Sequence, residues 1–309
     1  MPNALSTSSI VLPASVATVV AGKAKDTSTI ATLSPNAPKP FSDDKYLIFN
    51  GDSEAEVVEE GAARSGYTQE IPEPIVGKRF TVQTVTRVSK QLMWADEDDQ
   101  LEIINAIQED QAKAMGRALD YVVYHAVQPK TGLALSGYTA LHDVANKTYL
   151  GNEIADATDD QLIRSIDNMA ELVNDLYDIN GVAIAKTYSN ALRKIRIPSS
   201  MTRLYPEIPL NLNVGVLEGV NAACAGTVNG RLAQTPTNVL AFMGDFSMIK
   251  WGYVREMTAE LIPYGDPDGQ GDLKRYGQVA YQTEATYVYS VVAPDAFAVL
   301  LGGADPSGN

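Results

Sequence analysis

The hydrophobic and polar positions of the chain follow a helical period in one long stretch. From about Asp98 to Ala126, apolar residues recur three or four positions apart, which is the spacing that lines one face of an α-helix. Pro129 and Gly132 follow and are typical of a helix end. The sequence therefore predicts one helix, roughly 43 Å long at about 1.5 Å per residue. Its apolar face comprises Leu101, Ile104, Ile107, Met115, Ala118, Leu119, Val122 and Ala126.

Two stretches near the C-terminus instead alternate apolar and polar residues with a period of two. The odd-numbered positions from Ile249 to Leu261 are apolar except Arg255, and those from Val279 to Val291 are apolar except Thr283. This alternation predicts two β-strands, the second roughly 46 Å long. Pro263 to Gly277 is rich in Gly, Pro and Asp, so we expect the strands to form an antiparallel hairpin. A helix and a hairpin of matching length indicate an elongated α+β slab.

Between these regions the pattern predicts shorter elements. Thr158 and Gln161 form a capping box, which predicts the start of a second helix. Its apolar stripe runs to Leu176, and the Asn-Gly pair after it is typical of a helix end. We expect a short buried strand over Gly181 to Ala185 and a third helix over Asn190 to Ile197.

The first 40 residues have no persistent period. They are rich in Ser, Thr, Ala and Val and contain five prolines, which is typical of a disordered tail. Their content of branched apolar residues is nevertheless high for a solvated segment. We therefore favour an arm that becomes ordered against a neighbouring molecule.

Two extended stretches come next, Glu54 to Ala63 and Phe80 to Val88. The polar segment that separates them is too long for a tight hairpin. A two-stranded ribbon with one weak apolar face is marginally stable in water by itself. The sequence therefore predicts an extended arm that needs a partner surface.

Charge and composition exclude several classes of protein. The 309 residues carry a formal charge of −14, and 45% are hydrophobic. A sizeable core is therefore expected, whereas a grip on nucleic-acid phosphates needs clustered Lys and Arg. The single cysteine, Cys224, forms no internal disulfide, and it is best interpreted as a small core residue. The apolar run from Ile10 to Gly22 is too short to span a bilayer, so we expect no membrane association.

The candidate chemical groups are weak. His125 is expected at the end of the long helix, where a cation is favoured by the helix dipole. His142 and Asp143 resemble a general base, but the sequence places no nucleophile beside them. Asp266 and Asp268 match part of a calcium loop, although Gly277 stands where the bidentate Glu belongs. We expect an ordinary polar turn there, no metal, no cofactor and no catalytic residue.

Five short motifs occur in an order and spacing that resemble a known family. They are Glu60-Gly61, Val88-Ser89, "ALD" at Ala118 to Asp120, "LEGV" at Leu217 to Val220, and "GDF" at Gly244 to Phe246. From about residue 45 to 301, the chain resembles the major capsid proteins of tailed bacteriophages with the Hong-Kong-97-type fold.

The resemblance implies an α+β fold with four parts. These are an N-terminal arm (1–45), an extended two-stranded loop (46–90), a peripheral domain with the long spine helix and long antiparallel strands (91–140 and 246–292), and an axial domain (141–245 and 293–305). In such a fold the extended loop lies across the adjacent subunit, which buries its apolar face. The segment from Pro263 to Gly277 is implied to lie near three-fold contacts.

The implied function is structural. Copies would assemble as hexamers and pentamers into an icosahedral shell around double-stranded DNA, in the host cytoplasm, without sequence-specific DNA binding. A separate scaffolding protein or none, a portal and decoration proteins are the implied partners, since the chain lacks a long charged N-terminal extension. The alternatives are an encapsulin-like nanocompartment shell and a soluble cytoplasmic enzyme.

Charge complementarity suggests which residues make contacts between subunits. Residues 51–77 carry seven carboxylates and one Arg, and basic groups near Lys274 on the next subunit would pair with them. Some family members form a Lys–Asn isopeptide, for which Lys78 could be the donor. Residues 263–277 contain no Asn, so we predict a non-covalent shell. The predicted contact residues are Glu60, Arg64, Glu70, Glu73, Lys78, Arg79, Asp266, Asp268, Lys274 and Arg275.

Overall fold

The computed structural model describes residues 27–34, 45–46, 57, 75–91, 97–173, 177–230 and 237–306. Its helices are α1 (Thr29–Leu33), α2 (Glu97–His125), α3 (Asp159–Leu172) and α4 (Lys186–Lys194), with 3-10 turns at Leu141–Asp143, Phe246–Met248 and Pro294–Ala296. Its strands are β1 (Lys45–Tyr46), β2 (Ile75–Val76), β3 (Lys78–Ser89), β4 (Lys147–Tyr149), β5 (Gly181–Ile184), β6 (Val216–Leu217), β7 (Val220–Cys224), β8 (Val239–Gly244), β9 (Ile249–Ile262), β10 (Gln278–Val291) and β11 (Phe297–Leu301).

The two long C-terminal strands form the predicted antiparallel hairpin. β9 and β10 have 14 residues each, and β10 is the middle strand of a three-stranded sheet in the order β3-β10-β9. Tyr281 pairs with Leu261 at one end and Tyr289 with Trp251 at the other. The register shifts on either side of Thr286, where the ladder is locally irregular.

The third strand of this sheet differs from the sequence prediction. β3 covers the second extended stretch as expected, but its partner is β10, from Lys78 opposite Tyr289 to Ser89 opposite Gln278. The Phe80 ring stacks on Tyr287 with 5.3 Å between centroids. The expectation that this apolar face needs a neighbouring subunit is therefore wrong, because β10 supplies its cover. The first extended stretch, Glu54 to Ala63, lies outside the described residues apart from Val57.

The long helix α2 matches its predicted range to within one residue at each end and packs on this sheet. Ile103 and Ile107 lie in a buried cluster with Val88, Val279 and Tyr281. One turn further on, buried Gln111 bonds across the interface: its Nε2 donates to Thr86 Oγ1 and to the Tyr281 carbonyl, and its Oε1 accepts from Thr283 Oγ1. The helix is thereby fixed in register on β3 and β10.

The second sheet has six strands in the order β4-β11-β8-β5-β7-β6. β11 and β5 run antiparallel to β8, whereas β5 and β7 are parallel. Helices α3 and α4 pack on this sheet through a cluster that includes Leu162, Ile166, Met169, Tyr188 and Leu192. The sheet therefore has its own buried core.

The helices on this sheet begin and end partly where predicted. The capping box of Thr158 and Gln161 starts α3. The prediction that α3 continues to Leu176 is wrong, since Val173 is extended and buried. The predicted start of α4 at Asn190 is also wrong, because the chain turns into helix directly after β5, at Lys186. α4 ends at Lys194, one residue before Ile195, which leaves the helix and is buried.

Part of the N-terminal region is folded onto its own chain. Ile30 in α1 is fully buried in the main core. Ser34 Oγ donates to the Ile249 carbonyl (2.7 Å), and Trp251 Nε1 donates to the Ser34 carbonyl (3.2 Å). For residues 28–34, the predictions of a disordered tail and of ordering against a neighbour are therefore wrong. Residues 1–26 lie outside the described part.

Candidate assembly surface

The loop between β9 and β10 (residues 263–277, hereafter the β9–β10 loop) is folded around one buried side chain. Leu273 is completely buried, its N–H donates to the Gly265 carbonyl (2.8 Å), and its carbonyl accepts from Gln278 N (2.9 Å). Asp272 Oδ1 accepts from Arg275 N (2.8 Å). The loop therefore has a defined shape despite its glycine-rich sequence.

A buried arginine from β3 binds the other half of this loop. Arg87 is 4% exposed, and its Nε donates to both carboxylate oxygens of Asp268 at 2.9 Å. Its Nη2 donates to Asp266 Oδ1 and to the Gly271 carbonyl, each at 2.9 Å, and also contacts Asp268. The hydrogen bond from Arg87 lowers the pKa of Asp268 below its ordinary value. The calcium-like carboxylates thus bind a guanidinium of their own chain.

The outer side of the loop presents cations and aromatic rings to solvent. Lys274 and Arg275 are exposed, and Tyr264 and Tyr276 are 70% and 48% exposed. The Arg275 guanidinium carbon lies 6.0 Å from the centroid of the Tyr276 ring, within the range of a cation–π contact. A rigid loop with two cations and two rings is suited to contact another protein surface.

The other predicted cations lie at the far end of the same sheet. Lys78 and Arg79 begin β3 and are exposed, and Tyr138 Oη donates to the Arg79 carbonyl (2.7 Å). Because β3 runs from Lys78 to Ser89, roughly 36 Å of strand separates Lys78 from the β9–β10 loop. Within one subunit, the two cationic pairs therefore do not form one patch. The remaining predicted residues, Glu60, Arg64, Glu70 and Glu73, lie outside the described residues.

A buried carboxylate anchors the N-terminal segment to α2. Asp120 is fully buried and accepts five hydrogen bonds: from Ser28 Oγ (2.5 Å), Thr29 N (2.9 Å), Thr29 Oγ1 (3.0 Å), Ile30 N (3.2 Å) and Thr227 Oγ1 (2.6 Å). Burial raises the pKa of Asp120, although these donors favour its charged form. This residue belongs to the "ALD" motif, which the sequence analysis used only as a resemblance.

The two histidines pack near this anchor. His125 Nε2 lies 3.1 Å from the Thr227 carbonyl oxygen, and burial lowers the pKa of His125 to about 4. The prediction of a cation at the end of α2 is therefore wrong, because the imidazole is neutral at pH 7. His142 Nε2 lies 3.3 Å from Asp143 Oδ1 and its Nδ1 3.1 Å from the Tyr124 carbonyl, so backbone contacts account for the position of both rings.

Sequence reasoning missed Arg87 and found Asp120 only as part of a motif. Arg87 stands at a position of β3 that alternation assigns to the polar face, opposite Ala280. The small Ala280 was the one available signal, since it leaves room for a long side chain to reach the loop. In the described part of the chain, no group of three His, Cys, Asp or Glu residues could hold a metal, and no helix could span a bilayer.

Comparisons with known proteins give matches among solved structures. A structure from Mycobacterium phage Ogopogo has 30% sequence identity and a TM-score of 0.78, covering 97% of this chain and 100% of that chain. One from Gordonia phage Cozz has 25% identity and a TM-score of 0.74, covering 97% and 94%. A structure titled "Capsid of native GTA particle computed with C5 symmetry" has 13% identity and a TM-score of 0.61, covering 96% and 95%. No protein-family model and no curated protein matches the chain.

Proposed function

Since the chain belongs to the major capsid proteins of bacteriophages with the Hong-Kong-97-type fold, which form the icosahedral shell of the virion, we propose that its copies assemble as hexamers and pentamers around double-stranded DNA. The five-fold symmetry named for the gene-transfer-type capsid structure supports rings of five. The formal charge of −14 supports a wall that encloses DNA without gripping its phosphates. A separate scaffolding protein or none, a portal and decoration proteins complete the proposed set of partners.

The β9–β10 loop supplies the observation that carries the proposed contact between copies. Buried Arg87 and Leu273 fix its inner side, while Lys274 and Arg275 are exposed on its outer side. Residues 51–77 of another copy bring seven carboxylates, among them Glu60, Glu70 and Glu73. We infer that these carboxylates pair with the loop cations, with Arg64 among them.

Energetics favour a role in register over one in raw affinity. A solvent-exposed ion pair contributes only about 0.2 to 1 kcal/mol. Repeated at every equivalent contact of a shell, pairs of this strength fix the relative position of the subunits and make assembly sensitive to salt. Lys78 and Arg79, at the opposite end of the sheet, would make a separate contact of the same kind.

Charge reversal of the loop tests this proposal. We expect Lys274→Glu/Arg275→Glu to reduce the yield of closed shells about tenfold or more, because two attractive contacts become repulsive at each repeat. Shells are counted by sedimentation and electron microscopy. Lys130→Glu/Lys194→Glu is the matched control, since both lysines are exposed outside the loop and the net charge changes equally.

Normal shells from the loop variant would overturn the proposed contact. Nuclease-protected double-stranded DNA inside purified particles is expected for the proposed cargo. A tightly held enzyme in its place would favour the nanocompartment alternative. The division into arm, extended loop, peripheral and axial domains stays a prediction.

A further inference from the structure

The β9–β10 loop has the oxygen ligands of a calcium-type loop, and a side chain of the protein occupies the position of the cation. Asp266, Asp268 and Gly271 match positions of that pattern. Their oxygens converge on the Arg87 guanidinium. We propose that Arg87 is the built-in structural cation of this loop, and that its removal creates a site for a hard divalent cation such as Ca²⁺.

The hydrogen bonds of Arg87 account for a loop that is ordered without a metal ion. The guanidinium binds two carboxylates and the Gly271 carbonyl, and its Nη1 also donates to Gln278 Oε1 at 3.3 Å. A planar guanidinium with several fixed donors suits this arrangement, because it bridges separate oxygens at once. Arg87 thereby performs the bridging that a calcium ion performs in a metal-binding loop.

The loop backbone is shaped for close approach to this cation. Gly269 and Gly271 adopt left-handed φ values of +75° and +101°. Asp268 Oδ1 also accepts from Gln270 N (3.3 Å), which tightens the turn. Without Arg87, two carboxylates would face each other across this turn with no compensating charge, and their repulsion would open it.

The ligands left behind are those that calcium prefers. Asp266 and Asp268 supply carboxylate oxygens, and Gly271 and Gln278 supply carbonyl-type oxygens. Calcium takes six to eight oxygen ligands in flexible geometry and accepts water for the rest. Replacement of Arg87 by Ala would also vacate the space that the guanidinium fills.

A tyrosine beside the loop gives a direct optical test. A Cβ placed on Gly271 would lie 2.8 Å from Tyr276 Cε2, so the Tyr276 ring lies against the proposed site. Tb³⁺, which takes the same oxygen ligands as Ca²⁺, emits strongly when an excited tyrosine is this close. Tyrosine-sensitised Tb³⁺ emission therefore reports occupation of this site.

The experiment compares full-length wild type, Arg87→Ala and Arg87→Ala/Asp268→Asn. We expect loop amides of Arg87→Ala to exchange with solvent about tenfold faster than those of wild type, and Ca²⁺ to restore their protection. Only Arg87→Ala should bind Tb³⁺ with sensitised emission that Ca²⁺ displaces. The double variant lacks one ligand and is the matched control, while wild type should respond neither to Ca²⁺ nor to a chelator.

Two results would overturn the proposal. One is a loop in Arg87→Ala that is as protected as in wild type without added cation. The other is an open loop that neither Ca²⁺ closes nor Tb³⁺ marks. If Arg87→Ala yields no soluble protein, Asp268→Asn alone serves, since the loss of that ligand should accelerate loop exchange, and unchanged protection would contradict the inference.

The role of the loop between copies rests on the proposed function, but these readouts do not. Exchange and emission are measured on the loop of the protein itself, with no count of shells. A cation response in Arg87→Ala together with normal shells from the Lys274→Glu/Arg275→Glu variant would remove the assembly contact and leave the inference on Arg87 intact.

Discussion

Two buried charges, Asp120 and Arg87, tie distant parts of the chain together. Asp120 joins α2 to residues 28–30 and to Thr227, and Arg87 joins β3 to the β9–β10 loop. A charge in a protein interior is tolerated only when hydrogen bonds and opposite charge replace its hydration. Each of these residues has such a complete set of partners, so each specifies one arrangement of the segments around it.

Asparagine at position 120 should cost considerable stability. We expect Asp120→Asn to lower the free energy of unfolding by about 2 to 4 kcal/mol, because an amide offers one acceptor oxygen where five donors converge on two. Urea denaturation measures this loss. Asp110→Asn on the same helix is the matched control: the Asp110 side chain is 59% exposed, so a change within about 0.5 kcal/mol is expected. Equal losses in both variants would contradict the anchor role.

At the scale of elements, β3 is the strand whose environment differs most from expectation. Its apolar face lies on aromatic side chains of its own chain, with Phe80 against Tyr287, Tyr289 and Tyr138. The sheet therefore completes itself within one subunit, and the spine helix α2 covers two of its strands.

This arrangement predicts the behaviour of Phe80→Ala. Loss of the stacked ring should destabilise the unassembled protein by about 2 to 3 kcal/mol, somewhat less than for a fully buried Phe. Gln83→Ala, at an exposed position of the same strand, should change stability by less than about 0.5 kcal/mol. An unchanged unfolding midpoint for Phe80→Ala, together with weaker assembly, would instead support burial of this face by a neighbouring copy.

Elements were predictable from sequence where one face is buried over many residues. α2, β9 and β10 show their period for 14 residues or more, so local sequence settles them. The end of α3 at Leu172 has neither Gly nor Pro beside it, and tertiary burial of Val173 decides it. Arg87 and Asp120 bind partners about 90 to 184 positions away, and no local pattern records such a pairing.

For the whole molecule, the cationic ends of the β3-β10-β9 sheet present one subunit to its neighbours at two separated points. A shell held at such points needs no covalent link, and residues 263–277 contain no Asn that Lys78 could join. Cohesion then comes from many weak contacts acting together.

Purified shells should accordingly separate into monomers in denaturant. We expect a single band near 33.2 kDa on a denaturing gel, because no isopeptide bond joins Lys78 to the β9–β10 loop. Mature particles boiled in detergent provide the measurement, and a mutant of Lys78→Arg is the control that removes the amine donor. A ladder of multimers that disappears in this variant would contradict the non-covalent shell.

The twelve-residue register between β3 and β10 also has a mechanical consequence. Interstrand hydrogen bonds in an antiparallel pair lie perpendicular to the strands. Tension transmitted into Lys78 along the strand axis is therefore shared by the whole ladder from Lys78–Tyr289 to Ser89–Gln278, and the bonds are sheared together instead of being unzipped one at a time. The subunit is consequently stiffest along its own long strands, the direction in which an inflating container would stretch it.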